Sequence, residues 1–331
     1  MVWLKFTISL IIIFYCGRKL SQYGDILADK TGLGKGFIGV ILLGAVTSLP
    51  ELITTISSVK FVKEVDLAWG NILGSNLLNL TVLSFCDIFI RKDDVIRVFD
   101  KGNVLTACFS IIITAIAVLG IITGRDYVFF NSFSIYTIFI LLIYVFGSFI
   151  LYRNAKKEKL SQNETNNIDI SLQKIVFIFI INAALIVAAG ISITYACDEI
   201  SKITGLGATF VGSLFLALAT SLPEIVVSVS AIKLGAISMA GGNILGSNFF
   251  NISILGFSDF FYHSGTGSLY TDASHINLLT STIFIMVTSI IVAGMIYKSE
   301  KRFMRFGLDS IAVIILYIFT FYYLFTAGGN V

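Results

Sequence analysis

The sequence predicts an all-α integral membrane protein of ten transmembrane helices, arranged as two inverted five-helix repeats. Three observations carry that expectation. Of 331 residues, 56% are hydrophobic and only 13% charged, about half the charged fraction of a soluble domain. The chain divides into about ten apolar runs long enough to cross a ~30 Å hydrocarbon layer as helix. Two of its segments also repeat one another: "TGLGKGFIGVILLGAVTSLPELITTIS" aligns with "TGLGATFVGSLFLALATSLPEIVVSVS" at an offset of 173 residues.

The runs lie near 2–17, 36–59, 67–90, 103–123, 128–152, 174–195, 207–232, 235–261, 276–297 and 306–326. The first, "WLKFTISLIIIFYC", continues into "GRKLSQYGD" without a small-residue cleavage site, so it reads as a helix of the bundle and not as a signal peptide. Between the fifth and sixth runs lies the polar stretch "YRNAKKEKLSQNETNNIDISLQK", whose charge and Asn content suit a solvated linker. The expected organisation is a first five-helix repeat at 1–152, a linker at 153–173 and a second repeat at 174–331.

Five crossings per repeat is an odd number, so the second copy enters the membrane from the opposite side. Charge tests this independently. Alternating loops place 18 Lys and Arg on one face and 5 on the other, and the rich face is cytoplasmic by the positive-inside rule. That assigns the linker to the cytoplasm and both termini to the outside of a multi-pass cell-membrane protein. The loop before the first TSLPE carries Arg18, Lys19, Lys30 and Lys35, whereas its counterpart, "CDEISKITGLG", has only Lys202. Inverted repeats around a midplane site are the usual architecture of secondary transporters.

The four cysteines are scattered without C-x-x-C spacing, and both histidines, His263 and His275, fall in one loop. Soft-metal and histidine chemistry inside the membrane is thereby unsupported, and no cofactor, nucleic-acid partner or enzymatic reaction is expected. The polar chemistry lies in the repeated motifs. TSLPE, at Thr47–Glu51 and Thr220–Glu224, contains the only two prolines of the chain, Pro50 and Pro223. Proline offers no N–H to the carbonyl four residues back, which frees backbone oxygens around Val46 and Thr47 and around Ala219 and Thr220.

Beside those oxygens stand a hydroxyl and a carboxylate at helical spacing: Thr47 and Ser48 with Glu51, Thr220 and Ser221 with Glu224. The following run, "GNILGSN" and a further Asn, supplies Asn71, Ser75 and Asn79, mirrored by Asn243, Ser247 and Asn251. Asn71 and Asn243 suit either ion binding or helix tying, while Asp87 and Asp259, near span ends, suit caps or loop contacts. Carboxylate, carbonyl, hydroxyl and amide oxygens form the ligand set of hard cations such as Ca²⁺ and Na⁺. Two ionised glutamates at mid-membrane need counter-charge, and one Ca²⁺, two Na⁺ or two H⁺ supply it equally. Loads that compete for one site at alternating faces make an antiporter.

TSLPE followed by GNILGSN and Asn, twice and inverted, resembles the Ca²⁺/cation antiporter superfamily, most closely its sodium/calcium exchanger branch. The resemblance spans nearly the whole chain. It implies four cation sites among the second, third, seventh and eighth spans, with the first and sixth spans sliding across that core. By position, Glu51 and Glu224 become the Ca²⁺ carboxylates, completed by the Thr47 and Thr220 carbonyls. Ser48 and Ser221, with the backbone near Gly44 and Ala217, help hold Na⁺, and Ser75, Asn79, Ser247 and Asn251 line the middle. Two features depart from the pattern: Val46 and Ala219 replace a usual Gly, and residues 79 and 251 are both amides where such exchangers often carry an acid. The expected function is Na⁺/Ca²⁺ antiport by alternating access, and the same glutamate pair also fits Ca²⁺/H⁺ antiport.

Overall fold

A computed structural model describes residues 1–31, 48–86, 96, 99, 101–123, 128–129, 133–158, 171–233, 237–262, 267–297, 302–303 and 306–328. Among them are ten helices, five in each repeat. The first repeat holds α1 (Val2–Thr31), α2 (Leu49–Ser57, extended by a π-helical turn at Ser58–Val62), α3 (Val65–Phe85), α4 (Lys101–Thr123) and α5 (Ile135–Glu158). The second holds α6 (Leu172–Thr204), α7 (Ala208–Lys233, with a π-helical segment at Gly212–Leu216), α8 (Ile237–Asp259), α9 (Ile276–Tyr297) and α10 (Leu308–Gly328).

The two halves share an irregular detail. A two-stranded hairpin, β1 (Val128–Phe129) with β2 (Phe133–Ser134), leads into α5, and another, β3 (Arg302–Phe303) with β4 (Phe306–Gly307), leads into α10. The fifth run thus begins as a helix at 135 and not at 128, because its first residues pair as strands. α1 and α6 are longer than the predicted runs, reaching Thr31 and Thr204. Gly205, at φ +70°, ends α6 in the left-handed conformation and donates its N–H to the Ser201 carbonyl at 3.0 Å, as a glycine past a helix end commonly does. Residues 159–170 of the predicted linker lie outside the described residues.

Six of the described helices, α4, α5, α6, α7, α9 and α10, are long and apolar enough to cross a membrane. α3 and α8 carry the Asn and Ser rows, and they occupy the centre instead of the lipid boundary. α3 is buried on nearly every face, whereas α5 presents Leu142 and Phe146 outward at about 60% exposure (61% and 59%). Close packing at the centre depends on glycine. A Cβ at Gly74 would come within 2.4 Å of the Ser213 backbone in the π segment of α7, and one at Gly70 within 2.5 Å of the Thr209 carbonyl. Small residues allow such helix approach inside a membrane. At one end Trp69 Nε1 donates to the Leu269 carbonyl at 3.1 Å and its ring meets Tyr270 edge-on, which locks α3 to the α8–α9 connection.

Each long first helix of a repeat lies against the motif region. α1 and α6 pack along one another, with Ser9 Oγ donating to Ser192 Oγ at 3.0 Å. Gly17 of α1 faces Pro223, where a Cβ would meet Cγ at 2.7 Å, and Gly190 of α6 faces Ile53 and Thr54 of α2. Positions 17 and 190 are themselves offset by 173 residues, so equivalent glycines of the two repeats each pack against the motif helix of the other repeat, Gly17 on Pro223 and Gly190 three to four residues past Pro50.

Candidate cation site

The two TSLPE segments reach the same place by different local routes. In the first repeat α2 begins at the motif, with Ser48 as N-cap (φ −96°, ψ 22°) and Pro50 in the first turn, where proline's missing N–H costs nothing. Glu51 therefore sits at a helix N-terminus, whose partial positive charge favours an anion. In the second repeat α7 runs unbroken through Pro223. The helix break expected at this proline is a correction: the chain stays helical on both sides of Pro223, with a π segment at Gly212–Leu216 about two turns before it.

The motifs interlock through reciprocal bonds. Ser221 Oγ donates to Glu51 Oε1 at 3.0 Å, and Ser48 Oγ donates to Glu224 Oε1 at 3.4 Å. Each carboxylate is thus held by the serine of the opposite repeat. Both glutamates are buried, at 0% and 3% exposure, and lie close enough to repel one another directly. Among the described residues no basic side chain pairs with either. The second oxygen of each, Oε2, is buried with no hydrogen-bond partner among the described residues.

The amide residues form a second layer. Asn79 Nδ2 donates to Asn248 Oδ1 at 3.0 Å and to Ser247 Oγ at 3.3 Å, while Asn251 Nδ2 donates to Asn76 Oδ1 at 3.0 Å. Asn79 Oδ1 and Asn251 Oδ1 are left buried without a partner among the described residues, like the two glutamate oxygens. Ser75 Oγ and Thr220 Oγ1 stand 3.4 Å apart, and Thr220 Oγ1 also reaches Asn71 Oδ1 at 3.3 Å and the Ala217 carbonyl at 3.2 Å. Four of the unpartnered buried atoms are therefore acceptors from the motif residues. Each buried acceptor left without a donor costs about 1–3 kcal/mol, more for an ionised one, and a hard cation is the partner that oxygen donors suit.

Of the predicted site residues, Glu51, Glu224, Ser48, Ser221, Thr220, Ser75, Asn79, Ser247, Asn251 and Ala217 are buried in or beside these motifs. Thr47 and Gly44 lie outside the described residues, as does Asp87. The donor ends of Asn71 and Asn243 tie helices: Asn71 Nδ2 donates to Thr54 Oγ1 and Thr55 Oγ1 at 2.9 and 3.0 Å, and Asn243 Nδ2 to Ser228 Oγ at 2.9 Å, while Asn71 Oδ1 accepts from Thr220 Oγ1. Asp259 is the loop contact expected of it, accepting from Ser134 N, Thr137 Oγ1 and Leu269 N. Asn76 and Asn248, which end the GNILGSN motifs, were not among the predicted site residues, although their recurrence in both copies was a usable signal.

The sequence model of the sodium/calcium exchanger protein family matches residues 1–151 and 174–326. The chain belongs to the sodium/calcium exchanger family. It is 24% identical to the inner membrane protein YrbG of Escherichia coli, over 75% of this chain and 76% of that one. It is 27% identical to the sodium/calcium exchanger MaX1 of Methanosarcina acetivorans, over 71% and 76%. Two solved structures share its fold. The H⁺/Ca²⁺ exchanger CAX superposes with a TM-score of 0.73 at 12% identity, covering 99% of this chain and 86% of that one. The sodium-calcium exchanger NCX_Mj superposes at 0.61 with 21% identity, covering 96% and 98%. This sodium/calcium exchanger family member is a Ca²⁺/cation antiporter of the membrane, built from ten helices as two inverted repeats.

Proposed function

We propose that the protein exchanges Na⁺ for Ca²⁺, with Glu51 and Glu224 as ligands shared by the competing ions. The observation that carries this reading is the pair of crossed serine–glutamate bonds with an unpartnered oxygen left on each carboxylate. Each serine donates to one oxygen and orients the carboxylate. The other oxygen remains for the ion, and the amide oxygens of Asn79 and Asn251 add neutral ligands. One Ca²⁺ or two Na⁺ neutralise the two acids, so binding one load excludes the other. The relative named as a sodium/calcium exchanger, MaX1, supports the choice of coupling ion.

In this reading both termini lie outside the cell and residues 153–173 in the cytoplasm, as the uneven Lys and Arg distribution favours. α1 and α6 slide across the motif helices, and their glycine contacts at Gly17 and Gly190 give the smooth faces that sliding needs.

A second reading, Ca²⁺/H⁺ exchange, is favoured by one observation: positions 79 and 251 are amides, so two protons on Glu51 and Glu224 discharge the cage completely. Ca²⁺ uptake into proteoliposomes separates the two. Uptake driven by a Na⁺ gradient at clamped pH on both sides is the expected result. Uptake supported only by a pH gradient transfers the role of coupling ion to H⁺.

A further inference from the structure

We infer that Asn76 and Asn248 are positioning residues that fix which way the Asn79 and Asn251 amides face, making that part of the cage all oxygen. The inference rests on the reading of the cage as a cation site. A carboxamide has an acceptor face and a donor face of nearly the same shape, so shape alone does not orient it. Its partners do.

A backbone carbonyl can only accept. Asn76 Nδ2 lies 3.2 Å from the Asn248 carbonyl, and Asn248 Nδ2 lies 3.2 Å from the Asn76 carbonyl. Each side chain must turn its NH₂ to that carbonyl, and its Oδ1 then points the other way. There it accepts from the next amide: Asn76 Oδ1 from Asn251 Nδ2, and Asn248 Oδ1 from Asn79 Nδ2, both at 3.0 Å. Asn79 spends its second hydrogen on Ser247 Oγ at 3.3 Å. With the donor ends committed outward, the Oδ1 atoms of Asn79 and Asn251 are left as the unpartnered, buried acceptors. All four asparagines are at most 1% exposed, so water does not replace these bonds. Two main-chain carbonyls thus decide, through two amides in each direction, that the cation meets C=O and not N–H.

The test is a double-variant comparison on the purified full-length chain, with Ca²⁺ as the probe and isothermal titration calorimetry as the readout. Asn76→Leu keeps the approximate shape and removes the acceptor, which frees Asn251 to turn its NH₂ inward. Loss of one oriented ligand to a charged partner predicts Ca²⁺ binding weaker by about tenfold or more. In an Asn251→Asp background both faces of residue 251 are oxygen, there is no orientation to lose, and Asn76→Leu should cost less than about threefold. A purely structural role for Asn76 gives the same loss in both backgrounds, and that result overturns the assignment, as does no loss in the first. The mirror set, Asn248→Leu with and without Asn79→Asp, reads the same relay from the other repeat if the first variant does not fold. An unmodified protein that binds no Ca²⁺ contradicts the cage itself, and is thereby distinguished from a failure of the relay.

Discussion

Two regions of this molecule bury carboxylates, and they treat them in opposite ways. Asp259, at the end of α8, receives a donor on every side: Leu269 N at 2.7 Å on Oδ1, and Ser134 N at 2.8 Å with Thr137 Oγ1 at 2.6 Å on Oδ2. It clasps the β1–β2 hairpin and the 267–272 connection to its own helix. Glu51 and Glu224 each receive one serine and keep one oxygen bare. Full satisfaction marks a structural acid, because donors repay its desolvation within the fold. Partial satisfaction marks a site, because the fold leaves the remaining charge to be met by something that comes and goes.

The largest expected effect breaks the second region. Glu51→Gln or Glu224→Gln removes half the cage charge, and on the scale of a broken buried ion pair costs about 3 kcal/mol or more of Ca²⁺ binding, over 100-fold. Ca²⁺ flux in proteoliposomes checks it. The same variants should melt no earlier than the parent in Ca²⁺-free buffer, since they relieve repulsion between two unpaired acids. Their thermal midpoint should also cease to rise with Ca²⁺, a rise that amounts to about 2.7 kcal/mol in the parent at 100 times Kd.

Asp259→Asn supplies the opposite phenotype. Its amide sets an NH₂ against one or two of the three donors, at a cost of about 1–3 kcal/mol of stability. Thermal melts in detergent should fall while Ca²⁺ affinity stays within about twofold. Gly74→Ala sharpens the contrast from outside both regions. Its Cβ would strike the Ser213 backbone at 2.4 Å, and overpacking of this kind costs about 1–3 kcal/mol, read as a lower midpoint together with a disturbed α3–α7 contact.

The smallest effect belongs to Glu64, in the turn between α2 and α3, where burial first and then Asp66 and Asp198 hold the carboxyl above its ordinary range. A raised carboxyl means that the folded state holds its proton more tightly than the unfolded chain. Stability is therefore lost as pH rises from the ordinary carboxylate range through the folded value. Glu64→Gln should raise the midpoint slightly at neutral pH, and the difference should vanish in acid, where the parent is also neutral. A constant difference at every pH would assign the gain to something other than charge.

Much of this contrast was legible in the sequence. Two TSLPE copies at a fixed offset named the glutamates and serines, and the i, i+4 rows on α3 and α8 named Asn79 and Asn251. Asp259 stood near a span end and reads as the loop contact that it is. Asn76 and Asn248 escaped because they fall one residue off those rows. Their role arises only when each meets the main chain of the other repeat, a contact 172 residues away. The π segments at 58–62 and 212–216 had no residue type to announce them, and the proline rule alone did not foresee a helix that runs on through Pro223. The hairpin before α5 hid within an apolar stretch, "YVFFNSFS", whose composition suits helix and strand alike.

Equilibrium ⁴⁵Ca²⁺ binding to the purified protein, titrated with Na⁺ at fixed pH, tests the shared cage most directly. The account predicts one class of Ca²⁺ site that Na⁺ displaces competitively, and that is abolished by Glu51→Gln and Glu224→Gln alike. Ca²⁺ bound with unchanged affinity in the variant lacking both carboxylates would contradict it.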